Sequence, residues 1–228
     1  VKVAFISGTS ISNSKIFNSW EERRIETRYG SVFIRERDGF SILNRHGEEG
    51  KTPPHAIDHR ANIQALSDLG YRDLISVNSV GSLREDLPPG SLVSCSDYVS
   101  FRPATFRDDC GIYEAPSVAN HLIPTIVEKC GFSIETDAVY VQTAGPRFET
   151  KAEVRIIREW GDVVGMTFAS EADLAREAGL RCNSLCIVDN FANGIAGRAI
   201  SGEAFHALVA ENQAKSDLLF ERMLALFR

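Results

Sequence analysis

The sequence predicts an α/β fold, a single domain over residues 1–228 whose central mixed β-sheet is flanked by helices. Three observations predict it. Short Val- and Ile-rich runs alternate with amphipathic stretches along the chain, the pattern of strands buried on both faces and helices that cover them. Hairpin-like runs around Gly30 and Asp38-Gly39 add antiparallel edges. The 228 residues, 43% hydrophobic and 25% charged, hold no repeat, low-complexity stretch or linker that would divide them.

Each element has its own signal. Strands are expected over Val3–Ser7, 32–37, Phe40–Asn44, 74–78, 90–95, 138–142, 162–166 and 182–188. Asp58 caps a helix carrying Ala61, Ile63, Leu66 and Leu69, ended by Gly70. A second helix covers 122–129 and stops at Gly131. Thr150 and Glu153 form a capping box before Val154, Ile156 and Ile157. Ser170 starts a helix with Leu174, Ala175 and Ala178, ended by Gly179. The last helix begins near Ser201 and carries Phe205, Leu208, Leu218 and Leu219.

Composition narrows the function classes. Twenty-five Lys and Arg against 31 Asp and Glu give a net charge of −6, so a nucleic-acid footprint is not expected. No apolar run approaches a membrane span and no charged-then-apolar leader precedes Val1, so the expected location is cytoplasmic. Cys95, Cys110, Cys130, Cys182 and Cys186 are odd in number and lack CxxC spacing. They read as reduced thiols, and no metal site is expected.

In sheets of this kind ligands sit beyond the carboxyl ends of strands, and polar clusters recur there. Ser7-Gly8-Thr9-Ser10 follows the first strand, with small residues and hydroxyls suited to an anion. Asn44-Arg45-His46-Gly47 offers a fork of donors to an oxyanion. Pro53-Pro54-His55 and Asp58-His59-Arg60-Ala61-Asn62 place cationic groups at a helix start. Asn78 and Ser79 are read as the end of a strand, with Gly81 allowing a turn. In Thr143-Ala144-Gly145-Pro146-Arg147-Phe148-Glu149-Thr150, the capping box leaves Glu149 without a structural task, and Phe148 can stack on a flat ring. Met166 can pack on a sugar face. Asp189 and Asn190 follow an apolar strand, and an amide offers the paired donor and acceptor that base recognition needs. Singly, these clusters read first as strand-ending turns, solvated helix starts or core residues.

Taken in order, these blocks resemble the trimeric purine nucleoside phosphorylases, and within them the methylthioadenosine phosphorylase branch. The likeness runs from Ile6 to the last helix, most specifically through Arg45-His46-Gly47, Asn78 to Leu83, Gly145 to Thr150, Val164 to Thr167, Glu171 with Leu174 to Glu177, and Asp189-Asn190. The resemblance implies phosphate-dependent cleavage of a purine nucleoside to free base and (deoxy)ribose or 5-methylthioribose 1-phosphate. It implies that Thr9, Arg45, His46, Asn78, Ser79 and Thr167 hold phosphate, and that Met166 covers ribose. Phe148 would wall the base pocket and Glu149 and Asn190 read the base, with Asp189 beside them. Asn190, Asp189 and His46 are the expected catalytic groups. Phosphate is a co-substrate and no cofactor is implied.

Methylthioadenosine phosphorylases usually carry Asp where this chain has Asn190. An amide donor there, with Glu149 accepting from N1–H, favours 6-oxopurines. On the last helix His206 would donate to a 5′-hydroxyl, whereas Phe205 would pack on a methylthio group. Phosphorolysis of methylthioadenosine or methylthioinosine is therefore the alternative, and a nucleoside-binding sensor on the same fold is the non-enzymatic one. The aromatic-rich loop at 101–114, which in the family closes a neighbouring site, implies a homotrimer.

Overall fold

The first strand shows why this chain folds around a doubly covered sheet. In β1 (Val3–Ser7) all five residues are buried. Side chains alternate across a strand, and β1 divides accordingly: Ala4 and Ile6 pack into one apolar cluster, Val3 and Phe5 into another. The computed structural model describes residues 2–11, 14–111, 115–197 and 202–228, without the side chains of 10 and 202–206.

Among the described residues nine strands make the sheet: β1, β2 (Glu21–Thr27), β3 (Gly30–Arg37), β4 (Phe40–Asn44), β5 (Asp73–Ser82), β6 (Leu92–Val99), β7 (Ile134–Gln142), β8 (Val163–Gly165) and β9 (Arg181–Phe191). Their order is β2-β3-β4-β1-β5-β8-β7-β6-β9, and β9 returns to pair with β5. The sheet is mixed, as expected, and five of its strands close into a ring. The ring closes because β5 changes partners. Residues 73–76 pair with parallel β1, and Gly81 and Ser82 pair with antiparallel β8, while β9 runs along the other edge.

Five α-helices among the described residues cover the sheet: α1 (His59–Asp68), α2 (Ile123–Cys130), α3 (Lys151–Ile157), α4 (Phe168–Glu177) and α5 (Gly202–Phe227). The Asp58 carboxylate accepts from the Ala61 N–H at 2.9 Å, and both halves of the Thr150–Glu153 capping box form. Burying Ile63, Leu66, Phe168 and Leu174 holds α1 and α4 to one face, and Ile126, Leu219 and Phe220 hold α2 and α5 to the other. Each such side chain contributes about 1.5–3 kcal/mol.

Several expectations need correction. The hairpin expected around Gly30 forms, but its first strand, β2, was not among the expected strands: Glu21, Glu22, Arg23 and Arg24 are exposed and Ile25 is its one buried residue, so it lacks apolar alternation. It forms by pairing with β3, where Arg35 reaches Glu22 and Arg23 reaches Glu36 across the ladder. The segment around Asn78 and Ser79 does not end a strand, since β5 runs on to Ser82 with its new partner. α4 starts at Phe168 rather than Ser170. Side chains of the neighbouring strand β7 do the capping: Tyr140 Oη accepts from Thr167 N at 3.1 Å and Phe168 N at 3.4 Å, and Gln142 Oε1 accepts from Ala169 N at 2.7 Å. Gly165 makes room for this arrangement, because a Cβ there would overlap the Tyr140 hydroxyl.

Candidate active site

The carboxyl ends of β1, β4 and β5 meet the segments before α3 and α4 and the end of β9 around one cavity of about 260 Å³. Thr9, Arg45, His46, Ser79 and Thr167 line it with hydroxyl, guanidinium and imidazole groups. Phe148, Glu149, Met166 and Asn190 line it as well. Asn78 and Asp189 stand outside its wall, and the side chains of Phe205 and His206 lie outside the described residues.

Arg45 enters from the end of β4, its side chain 3% exposed. Nε donates to Glu171 Oε1 at 2.6 Å and Nη2 to Oε2 at 3.1 Å, a bidentate pair with a carboxylate that is wholly buried. Nη1 donates to the Val77 carbonyl at 2.9 Å and Nη2 also to that of Ile6 at 3.3 Å. Of five guanidinium N–H groups, one on Nη1 is left for a ligand. The expected open fork is therefore mostly committed, and Glu171 balances its charge. Gly8 backs this corner: a Cβ there would stand 2.8 Å from the His46 ring and 3.0 Å from Arg45 Nη1.

His46 Nδ1 lies 2.7 Å from the Thr52 carbonyl. A carbonyl only accepts, so Nδ1 carries the proton of the neutral ring and Nε2 holds a lone pair. Burial lowers the His46 pKa below its ordinary 6.5, with the Arg45 charge adding to the effect and the Thr52 hydrogen bond opposing it. A neutral His46 can accept an O–H from an oxyanion that retains one proton.

Asn78 acts from behind Thr167. Its Nδ2 donates to the Ser76 carbonyl at 3.1 Å and hydroxyl at 2.8 Å, and its Oδ1 accepts from Thr167 Oγ1 at 2.9 Å. Asp189, expected beside the base, is instead engaged by Ser79 and Asn212. Its carboxylate accepts from the Ser79 hydroxyl and, at 2.8 Å, from Asn212 Nδ2 on α5. The physical reason is a bulge. Val80 pairs with Val188 and Gly81 with Asn190, so Asp189 is the extra residue of β9, and a bulge re-aims side chains. Burial raises the Asp189 pKa against the two hydrogen bonds that lower it.

At the other end of the cavity, Glu149 Oε1 accepts from Thr143 Oγ1 at 2.6 Å, leaving Oε2 for a ligand N–H. Asn190 Nδ2 donates one N–H to the Phe191 carbonyl at 2.8 Å and keeps its second. Asn193, which sequence reasoning assigned no role, also lines the cavity and donates to the Glu149 carbonyl at 3.1 Å. Glu171 was visible only as part of a family block. A carboxylate in the first turn of an amphipathic helix reads as a solvated helix-start residue, and only its burial shows otherwise. Among the described residues, no three His, Cys, Asp or Glu groups gather as metal ligands, and no helix is long and apolar enough to cross a membrane.

An oxyanion-lined corner, a flat aromatic and a carboxylate–amide pair around one cavity suit a ligand with an anionic part and a polar ring. Known proteins carry the same chain plan. The chain is 40% identical over 207 residues to a probable 6-oxopurine nucleoside phosphorylase of Archaeoglobus fulgidus, covering 87% of this chain and 85% of that one. It is 38% identical to a probable S-methyl-5′-thioinosine phosphorylase of Methanocaldococcus jannaschii, over 93% of this chain and 88% of that one. In fold it matches an adenosine/methylthioadenosine phosphorylase of Schistosoma mansoni with a TM-score of 0.82 at 24% identity, covering 100% of this chain and 92% of that one. Residues 18–225 fit the family model of the Phosphorylase superfamily. So long a match, with the polar groups brought into one cavity by the shared sheet, means that this chain belongs to the phosphorylase superfamily.

Proposed function

We propose that the chain is a purine nucleoside phosphorylase, a pentosyltransferase that cleaves a 6-oxopurine nucleoside with inorganic phosphate. The products are the free base and (deoxy)ribose or 5-methylthioribose 1-phosphate. The observation that carries this reading is the single cavity with Thr9, Arg45, His46, Ser79 and Thr167 at its oxyanion end and Phe148, Glu149 and Asn190 at its base end, with Met166 also in its wall. The named activities of the Archaeoglobus and Methanocaldococcus relatives support it.

The chemistry follows from charge. As the glycosidic bond stretches, positive charge grows at C1′ and negative charge on the purine. Phosphate held at the Arg45 corner faces the sugar and attacks C1′. The uncommitted Asn190 N–H stabilises the N7/O6 edge of the leaving base while Glu149 accepts from N1–H. Donors aimed at developing charge in a water-poor site contribute about 2.7–4 kcal/mol each. No metal or organic cofactor enters this reaction.

Base release from inosine, guanosine, adenosine, methylthioinosine and methylthioadenosine, with and without phosphate, tests the reading. Phosphate-dependent release from the 6-oxopurine nucleosides is expected. Equal release without phosphate would identify a hydrolase. Methylthio substrates form the second reading, favoured by the relatives named for methylthioinosine and, at 34% identity, methylthioadenosine.

The enzyme acts as a cytoplasmic homotrimer in this reading. Phe101, 73% exposed, and Trp160, 43% exposed, meet edge to face at 5.3 Å and form an apolar patch suited to a second subunit. Five free cysteines suit a reducing compartment. Sedimentation as a fully active monomer would reject the trimer.

A further inference from the structure

Glu171 does more than neutralise Arg45. Its carboxylate, in the first turn of α4, accepts from Arg45 Nε and Nη2 and also from the Ser76 hydroxyl. A carboxylate only accepts, so Ser76 must donate to it and is left to accept from Asn78 Nδ2 at 2.8 Å. The Asn78 amide is locked in that sense, because Nδ2 also donates to the Ser76 carbonyl at 3.1 Å. Its Oδ1 therefore accepts the Thr167 hydroxyl proton at 2.9 Å, so Thr167 Oγ1 turns a lone pair to the cavity and can accept an O–H from an anion that keeps a proton. Arg45 and Thr167 come from different strand ends, and both line the oxyanion corner.

We propose that Glu171 is the positioning residue of the oxyanion subsite, fixing Arg45 directly and Thr167 through Ser76 and Asn78. The proposal rests on the reading of that corner as the phosphate site. It follows from one polarity rule carried through four side chains. A single acceptor-only group at the root of the network sets the direction of every bond up to the cavity wall. It also keeps the buried guanidinium paired before an anion arrives, since a buried charge without a partner is strongly unfavourable. His59 also stands near the carboxylate, with Nδ1 3.9 Å from Oε1 and no hydrogen-bond partner among the described residues.

The test uses the full chain and inorganic phosphate as the probe. Phosphate affinity is measured by calorimetry, and phosphate and nucleoside KM by base release. Glu171→Gln keeps the shape and removes the charge. It should weaken phosphate binding and raise phosphate KM by about 10-fold or more, with nucleoside KM changing less than about 2-fold, the scale of a charged hydrogen bond. Ser76→Ala removes the relay to Asn78 and Thr167, together with a long 3.5 Å contact from Arg45 Nη2, and leaves the bidentate Arg45–Glu171 pair in place. It should shift phosphate KM in the same direction by about 3-fold, roughly a neutral hydrogen bond. If Glu171→Gln lacks a cooperative melt, Glu171→Asp and Ser76→Ala carry the same comparison. Folded variants that bind phosphate as the wild type does, or whose two KM values move together, would overturn the proposal. Wild-type protein that binds phosphate yet releases base equally well without it would instead overturn the assigned reaction and leave the positioning measurement standing.

Discussion

Thr143 donates its hydroxyl to Oε1 of Glu149 at 2.6 Å, so that one carboxylate oxygen is committed before any base arrives. In the proposed reaction the second oxygen is the acceptor for N1–H. Thr143→Val keeps the branched shape and removes the donor. We expect kcat/KM for inosine to fall about 10-fold, from a hydrogen bond to a charged group worth about 1.5–3 kcal/mol. A Thr143→Val enzyme with wild-type kcat/KM would show that Glu149 needs no such anchor.

Asn190 keeps one N–H for a ligand after serving the Phe191 carbonyl. Asn190→Asp replaces it with an acceptor. Preference should move toward 6-aminopurines by about 10- to 100-fold, with reduced activity on inosine as a carboxylate meets O6. Competition between inosine and adenosine measures this. Unchanged preference would remove Asn190 from base reading.

Arg45→Ala has a consequence beyond its proposed role at the phosphate site. It strands Glu171, whose side chain is 0% exposed, without its bidentate partner. Breaking one side of a buried ion pair costs about 3–5 kcal/mol. Chemical denaturation should show a loss of that size, and a loss below about 1 kcal/mol would mean that water replaces the partner.

Acid should destabilise the fold near neutrality. Burial holds His59 and His46 below the ordinary histidine value of 6.5, so the unfolded rings bind protons that the folded ones refuse. Their contribution is complete above 6.5 and is lost as pH falls through it. Melting temperature should drop from about pH 7.5 to about pH 5.5, and His59→Gln should flatten the slope. Asp189 and Asp173 act in the opposite sense, because burial raises their pKa values and protonation then favours the folded state. Their window lies above the ordinary carboxyl value of 3.8, and their contribution is gained as pH falls through it and is complete at that value. A melting temperature that rises on acidification to about pH 5.5 would contradict the histidine assignment.

Local chemistry was legible in the sequence wherever a residue's task is set by its neighbours along the chain. The Asp58 cap, the Thr150–Glu153 capping box and the buried β1 needed only periodicity and capping rules. The polar clusters after strands were legible for the same reason, and with them most of the cavity's lining. Tertiary structure decided what depends on distant partners. β2 exists because β3 lies beside it, and β5 continues past Asn78 because β8 replaces β1. The bulge in β9 separates Asp189 from Asn190, neighbours in sequence, into a buried support for Ser79 and a cavity residue. Glu171 meets Arg45 across 126 positions of chain, and nothing local to either residue encodes that contact. A carboxylate's charge state, partners and role follow from burial and from what shares that burial, and both are fixed only when the sheet closes.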